Sequence, residues 1–230
     1  MRRCWVLLAL VVLVPFAPAR PADEYRALFN GKDLDDWAAE GDKEYEQDGK
    51  KMPVWVAKDG MLTCMVNTHK SYGFLRYTKQ EFADFTLHAE YRMTARENAK
   101  ESRCNSGIGI RTVPYDPKND PKTRPSYAAY EVQLLDDADV KLDVHSTASL
   151  YRYVAPKVNA VKAAPEWNVI DVECVGPHIK ITLNDKEVLN VDQSEIKEIK
   201  DKPLKGYICL QNHGGKIDFK NVKIREIKAK

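Results

Sequence analysis

Phe85-Thr86-Leu87-His88-Ala89-Glu90-Tyr91-Arg92-Met93 puts an apolar residue at every odd position and a polar one at every even position. Successive side chains of an extended chain point to opposite faces, so a period of two marks a strand with one face in a core and the other toward solvent. Runs of the same kind lie on both sides of it, at 60–66, 72–77, 107–113, 127–135, 149–154, 167–175, 178–183, 206–212 and 217–224. Strands at such intervals predict an all-β sandwich or barrel. Asp59-Gly60, Gly176-Pro177 and Asn184-Asp185 each separate two of these runs and read as hairpin turns. Residues 114–125, rich in Pro, Asp and Lys, read as a long loop of the kind that rims a binding face. One short helix is expected over 194–200, with Ser194 as its N-cap.

The chain begins with Met1-Arg2-Arg3, an apolar run over 5–16 and Ala17-Pro18-Ala19, which have the charge, length and small-residue cleavage site of a secretory leader. The expected organisation is therefore a signal peptide over 1–19 and one domain over 20–230, exported to the periplasm or the medium. The apolar run is too short for a membrane helix of about 20 residues, and no later stretch reaches that length without a charge. Removing Arg2 and Arg3 from 36 basic residues leaves 34 against 34 acidic ones, interleaved throughout. A formally neutral chain without a basic stripe argues against nucleic-acid binding.

Of five cysteines, Cys4 belongs to the leader, and Cys64, Cys104, Cys174 and Cys209 remain. Two disulfides or four buried thiols are equally compatible with an exported β protein. The wide spacings give no zinc motif. No nucleophile-elbow motif and no glycine-rich phosphate loop occurs. His69, His88, His145 and His178 sit in polar or turn contexts and read as surface residues.

Three strands carry polar residues that strand propensity alone would not place there. Glu131 and Gln133 share the face opposite Val132 and Leu134; Asn105, Gly107, Gly109 and Arg111 share the face opposite Ile108 and Ile110; Gln211 and His213 share the face opposite Ile208 and Leu210. A carboxylate, a guanidinium, an imidazole and carboxamides, with glycines that let a ligand approach the backbone, suit a carbohydrate, whose hydroxyls need amide and carboxylate partners. Tyr151 and Trp167 are candidates to stack on sugar faces.

At these residues the chain resembles a known family. Leu28-Phe29-Asn30-Gly31-Lys32-Asp33-Leu34 with Trp37, Asp59-Gly60-Met61-Leu62, Phe82-Ala83-Asp84-Phe85, Asn105-Ser106-Gly107-Ile108, Tyr130-Glu131-Val132-Gln133-Leu134-Leu135-Asp136, Glu166-Trp167-Asn168 and Leu210-Gln211-Asn212-His213-Gly214 follow in order over 28–227 and resemble the 3-keto-disaccharide hydrolase family. The resemblance implies a concanavalin A-like jelly-roll sandwich of two curved antiparallel sheets. It also implies hydrolysis of disaccharides or glycosides already oxidised at C3, by C2 proton abstraction, elimination and water addition. That route needs one base and a stabiliser of the enolate. Glu131 or His213 is the expected base and the other the acid, with Arg111, Gln133, Asn105 or a bound divalent cation stabilising the oxyanion and Gln211 in the substrate-binding set. A cation would take Glu131 and Asp136 as oxygen ligands.

Two other readings compete. Concanavalin-like β-glucanases use E-x-D-x-x-E on a strand, and this chain has Glu131-x-Gln133-x-x-Asp136, with an amide in the middle. Direct glycoside hydrolysis ordinarily needs two carboxylates. A non-catalytic carbohydrate-binding domain would need only hydroxyl-reading groups and aromatics.

Overall fold

The computed structural model describes residues 24–66, 71–98 and 102–228. The expected leader over 1–19 and His69 lie outside the described residues. In chain order the strands are β1 (Arg26–Ala27), β2 (Trp37–Gly41), β3 (Glu44–Gln47), β4 (Lys50–Pro53), β5 (Trp55–Lys58), β6 (Met61–Cys64), β7 (Gly73–Tyr77), β8 (Phe85–Met93), β9 (Asn105–Thr112), β10 (Tyr130–Leu135), β11 (Asn168–Val175), β12 (His178–Leu183), β13 (Lys186–Asp192), β14 (Tyr207–Asn212) and β15 (Ile217–Glu226). One helical turn, α1 (Pro125–Ala128), precedes β10. No helix among the described residues is long and apolar enough to cross a membrane.

Two antiparallel sheets face each other across one core. The larger runs β13-β12-β11-β8-β15-β6-β5, with β1 added on β15; the smaller runs β10-β9-β14-β7-β2. β8 lies inside the larger sheet between β11 and β15, so its odd residues Leu87, Ala89 and Tyr91 are buried. From the smaller sheet Ile108, Ile110, Val132, Leu134, Ile208 and Leu210 point into the same core. The outer face of the larger sheet is laced with polar pairs, among them the Arg92–Asp218 ion pair at 2.8 Å and a contact of His88 Nδ1 with the Asp171 carboxylate at 2.8 Å. His145 and His178 are exposed, as expected of surface residues.

The hairpins follow turn chemistry. Asp59 (φ 52°) with Gly60 (φ 75°) and Asn184 (φ 48°) with Asp185 (φ 64°) have the paired positive φ of two-residue turns whose twist matches the strands. Asp48-Gly49 makes a third such turn, between β3 and β4, that the apolar alternation does not reveal because that ribbon is mostly exposed.

Two expected elements differ. Residues 149–154 are not a strand: positive φ at Ala148 (65°) and Arg152 (76°) folds them into turns, with Leu150 bridging Val132 and Val154. The expected helix over 194–200 reduces to a 3-10 turn, Gln193–Glu195, capped by Asp192, whose carboxylate accepts the Ser194 N–H at 2.8 Å. Asp is as good an N-cap as Ser, and it stands where the strand ends.

Candidate functional site

The outer face of the smaller sheet holds polar side chains that are nonetheless buried: Glu131 is 4 % exposed, Gln133 2 % and Gln211 1 %. They are roofed by Tyr72 before β7, by Arg124 and α1 at the end of the 114–125 loop, and by the 149–154 turns. Together these residues line a cavity of about 360 Å³ with Asn105, Ser126, Tyr127, Tyr151, Arg152 and His213. That volume lies in the range of small-molecule sites.

The glycines of β9 make the room. Gly107 pairs with Gln133 and Gly109 with Glu131. A Cβ on Gly107 would stand 3.0 Å from Cγ and 3.3 Å from Oε1 of Glu131, so the carboxyl lies across a strand that has no side chain there. Burial pushes the Glu131 carboxyl up to about 7, against hydrogen bonds from the Gln211 and Ser126 side chains and the charge of Arg124. Glu131 is the only carboxylate among the described residues lining this cavity.

A relay of side chains orients the imidazole. Gln133 Nε2 donates to Asn105 Oδ1 at 3.0 Å, which turns the Asn105 amide so that its Nδ2 donates to His213 Nδ1 at 3.1 Å. An Nδ1 that accepts leaves the proton of the neutral ring on Nε2. Tyr72 packs edge-on to His213, with ring centroids 5.0 Å apart. Burial holds the Tyr72 phenol far above its ordinary range, so it stays protonated, and its hydroxyl hydrogen bonds the Gln211 side chain. The Oε1 atoms of Gln133 and Gln211 are buried without a hydrogen-bond partner. Two orphaned carbonyl oxygens at the base of a polar cavity suit a ligand rich in hydroxyl donors.

Of the candidate residues taken from the sequence, Glu131, His213, Asn105, Gln133, Gln211 and Tyr151 come together at this cavity. Arg111 does not. Between Tyr207 and Cys209 the β14–β9 register slips, and Arg111 takes φ 55° in the bulge. Its side chain is 0 % exposed, donates to Ala83 O at 2.8 and 3.2 Å and stands 3.6 Å from the Asp84 carboxylate, away from the cavity. Trp167 also lies elsewhere, beside Arg92 and Lys220 at 4.8 and 3.9 Å, both of the ion-paired larger sheet. Asp136 is separated from Glu131: strand alternation sends it toward Ala164 N, which it accepts at 3.3 Å, and into a different hollow with Arg96 and Arg103. The oxygen pair considered for a divalent cation therefore does not assemble, and no other cluster of three or more His, Cys, Asp or Glu occurs among the described residues. Tyr72, Tyr127 and Arg152 fall within runs expected as strands, but neither they nor Arg124 and Ser126 sit in a regular strand, so periodicity could not place them at the cavity.

The 3-keto-alpha-glucoside-1,2-lyase-like domain family matches residues 24–225. A structure from Parabacteroides distasonis ATCC 8503, named provisionally as a glycosyl hydrolase, superposes with a TM-score of 0.69 at 23 % identity, covering 90 % of this chain and 96 % of that one. Another structure from that organism, under the same provisional name, gives a TM-score of 0.59 at 26 % identity, covering 88 % of this chain and 84 % of that one. The carbohydrate-binding module CBM66 from Bacillus subtilis gives 0.51 at 14 %, covering 83 % and 96 %. No curated relative matches the chain. The fold is the concanavalin A-like jelly-roll sandwich.

Proposed function

The chain belongs to the 3-keto-alpha-glucoside-1,2-lyase-like family, and from that premise we propose that it cleaves glycosidic bonds of disaccharides or glycosides oxidised at C3, with Glu131 as the base. The ketone acidifies the proton on C2. Glu131 removes it, and the electron pair moves onto the C3 oxygen as an enolate. Collapse of the enolate restores the ketone, forms the C1–C2 double bond and expels the glycosidic oxygen. Water then adds, with hydroxide at C1 and the proton returned to C2.

The observation that carries this reading is the buried carboxyl held near 7 and facing a polar cavity, poised to exchange a proton at neutral pH. Tyr72 supplies a protonated hydroxyl for the enolate oxygen, the role left vacant by the placement of Arg111. His213, set by Asn105 as the Nε2–H tautomer, donates a hydrogen bond to the leaving oxygen, which takes its proton from the water whose hydroxide then adds at C1. The carbonyl oxygens of Gln133 and Gln211 accept sugar hydroxyls, and Tyr151 offers a face for a ring. Direct glycosidase action is disfavoured because Glu131 has no second carboxylate beside it among the described lining residues. The likeness to a carbohydrate-binding module favours binding without turnover as the second reading. A carboxyl perturbed this far is a feature that binding alone does not require.

Incubation of purified protein with a 3-keto-disaccharide and, separately, its unoxidised parent tests the reading. Sugar release from the keto compound only, lost in Glu131→Gln, is the expected result. Release from the parent would instead support the direct glycosidase, and retained binding without release from either would support the binding module.

A further inference from the structure

The mouth of the cavity carries cations that the proposed reaction does not use. The Tyr127 ring lies against two guanidiniums, with Arg124 5.5 Å and Arg152 4.1 Å from its centroid, and its carbonyl oxygen accepts from Lys202 Nζ. Arg124 is neutralised by Asp120, which it grips through Nε at 2.8 Å and through Nη2. Arg152 and Lys202 have no carboxylate at ion-pair distance among the described residues. Lys202 does not line the cavity: its ammonium packs over the Tyr153 ring at 4.8 Å and the Tyr130 ring at 5.7 Å, and burial with the Arg152 charge pushes it down to about 8.

Arg152 is also held in place. Its backbone takes φ 76°, in the left-handed region that side chains with a Cβ rarely adopt, and its N–H donates to Val144 O at 2.9 Å. Stacking on Tyr127 fixes the other end. The result is an exposed guanidinium pre-positioned over the cavity, in a chain whose acidic and basic residues otherwise nearly balance. A planar guanidinium of this kind matches a carboxylate, sulfate or phosphate through two parallel hydrogen bonds.

We propose that Arg152, held on the Tyr127 ring at the rim of the cavity, forms a subsite for an anionic group on the glycoside. The inference rests on the carbohydrate reading of the cavity and adds to it the class of ligand preferred.

The test uses three 3-keto compounds: the neutral phenyl glucoside, the glucoside of 4-hydroxybenzoate with the carboxylate on the aglycone, and the phenyl glucuronide with the carboxylate on the sugar. Affinity is measured by calorimetry and turnover in parallel. One anionic compound should bind the wild type about tenfold more tightly than the neutral one at low salt, with the margin shrinking as salt is added. Whichever anionic compound wins locates the subsite on the aglycone or the sugar side. Arg152→Gln should shrink that ratio, and Arg152→Lys should keep part of it. Equal affinity of the wild type for all three compounds, or a preference that survives in Arg152→Gln, overturns the proposal. Anion preference without turnover of any compound would leave the subsite standing and remove the reaction; turnover without preference would do the reverse.

Discussion

Glu131 sits where its charge is costly to the fold and useful to the chemistry. Its carboxyl moves from the ordinary 4.5 to about 7, chiefly through burial. A base must be deprotonated, so kcat/KM on a 3-keto-glycoside should climb as pH rises through about 7 and level off above it; a profile falling over that interval would assign Glu131 the acid role instead. The same shift governs stability with the opposite sense. A folded-state value above the unfolded one means that the stability supplied by the neutral carboxyl is fully present below about 4.5 and is lost as pH rises through about 7, on the order of 3 kcal/mol for a shift of this size. Glu131→Gln should therefore melt above the wild type near pH 8, with the gap closing near pH 4, while sugar release falls about a thousandfold. Thermal melts at the two pH values check the first part and turnover the second. Tyr72→Phe removes only a hydroxyl and should cost about a hundredfold in kcat with little change in KM, the pattern of a donor that acts on the enolate rather than on bound substrate.

Four of the five strands of the smaller sheet, β7, β9, β10 and β14, are readable as elements, and the polar faces of β9, β10 and β14 as faces; β2 falls in none of the expected runs. Alternation put Glu131 and Gln133 opposite Val132 and Leu134, and pairing with β9 set both beside glycines. Gly107 and Gly109 look alike in the sequence but do different work. A Cβ at Gly107 would press on the Glu131 carboxyl, whereas one at Gly109 would come 2.3 Å from Cys209 Sγ and 2.9 Å from Thr112 Cγ2. Gly107→Ala should thus lower turnover by more than about tenfold with a small change in melting temperature. Gly109→Ala should destabilise by about 1–3 kcal/mol through overpacking. Measuring both quantities for both variants separates the two roles, and equal losses of stability would refute the assignment. Alternation failed at Arg111 because a bulge carries one extra residue, which shifts every later side chain relative to the expected face. It failed at 149–154 because positive φ at two non-glycine positions is not announced by residue type.

At the scale of the molecule, the main core shields Cys64, Cys104 and Cys174, and the roof of Tyr72, Phe74 and Tyr115 over the smaller sheet shields Cys209. Each is a free, buried thiol, and burial pushes them up, to about 12 for Cys64, Cys104 and Cys174. The native protein should resist alkylation and melt at the same temperature with and without reductant; a fall in melting temperature on reduction would instead point to a bridge. Export remains an expectation from residues 1–19, and mass analysis of protein recovered outside the cytoplasm should find Arg20 at its start. Local alternation and turn residues by themselves determined the all-β class, most strands, three hairpins and which face of its own strand each of Glu131, Gln133, Asn105, Gln211 and His213 takes, because side-chain direction along a strand depends only on parity; that β10, β9 and β14 are neighbours was decided by the tertiary structure. Tertiary structure alone decided that Arg111, Trp167 and Asp136 leave that group and that Tyr72, Arg124, Tyr127 and Arg152 join it. Bulges, turns and the roofing of one sheet by distant loops depend on contacts between segments far apart in sequence, and no local pattern carries them.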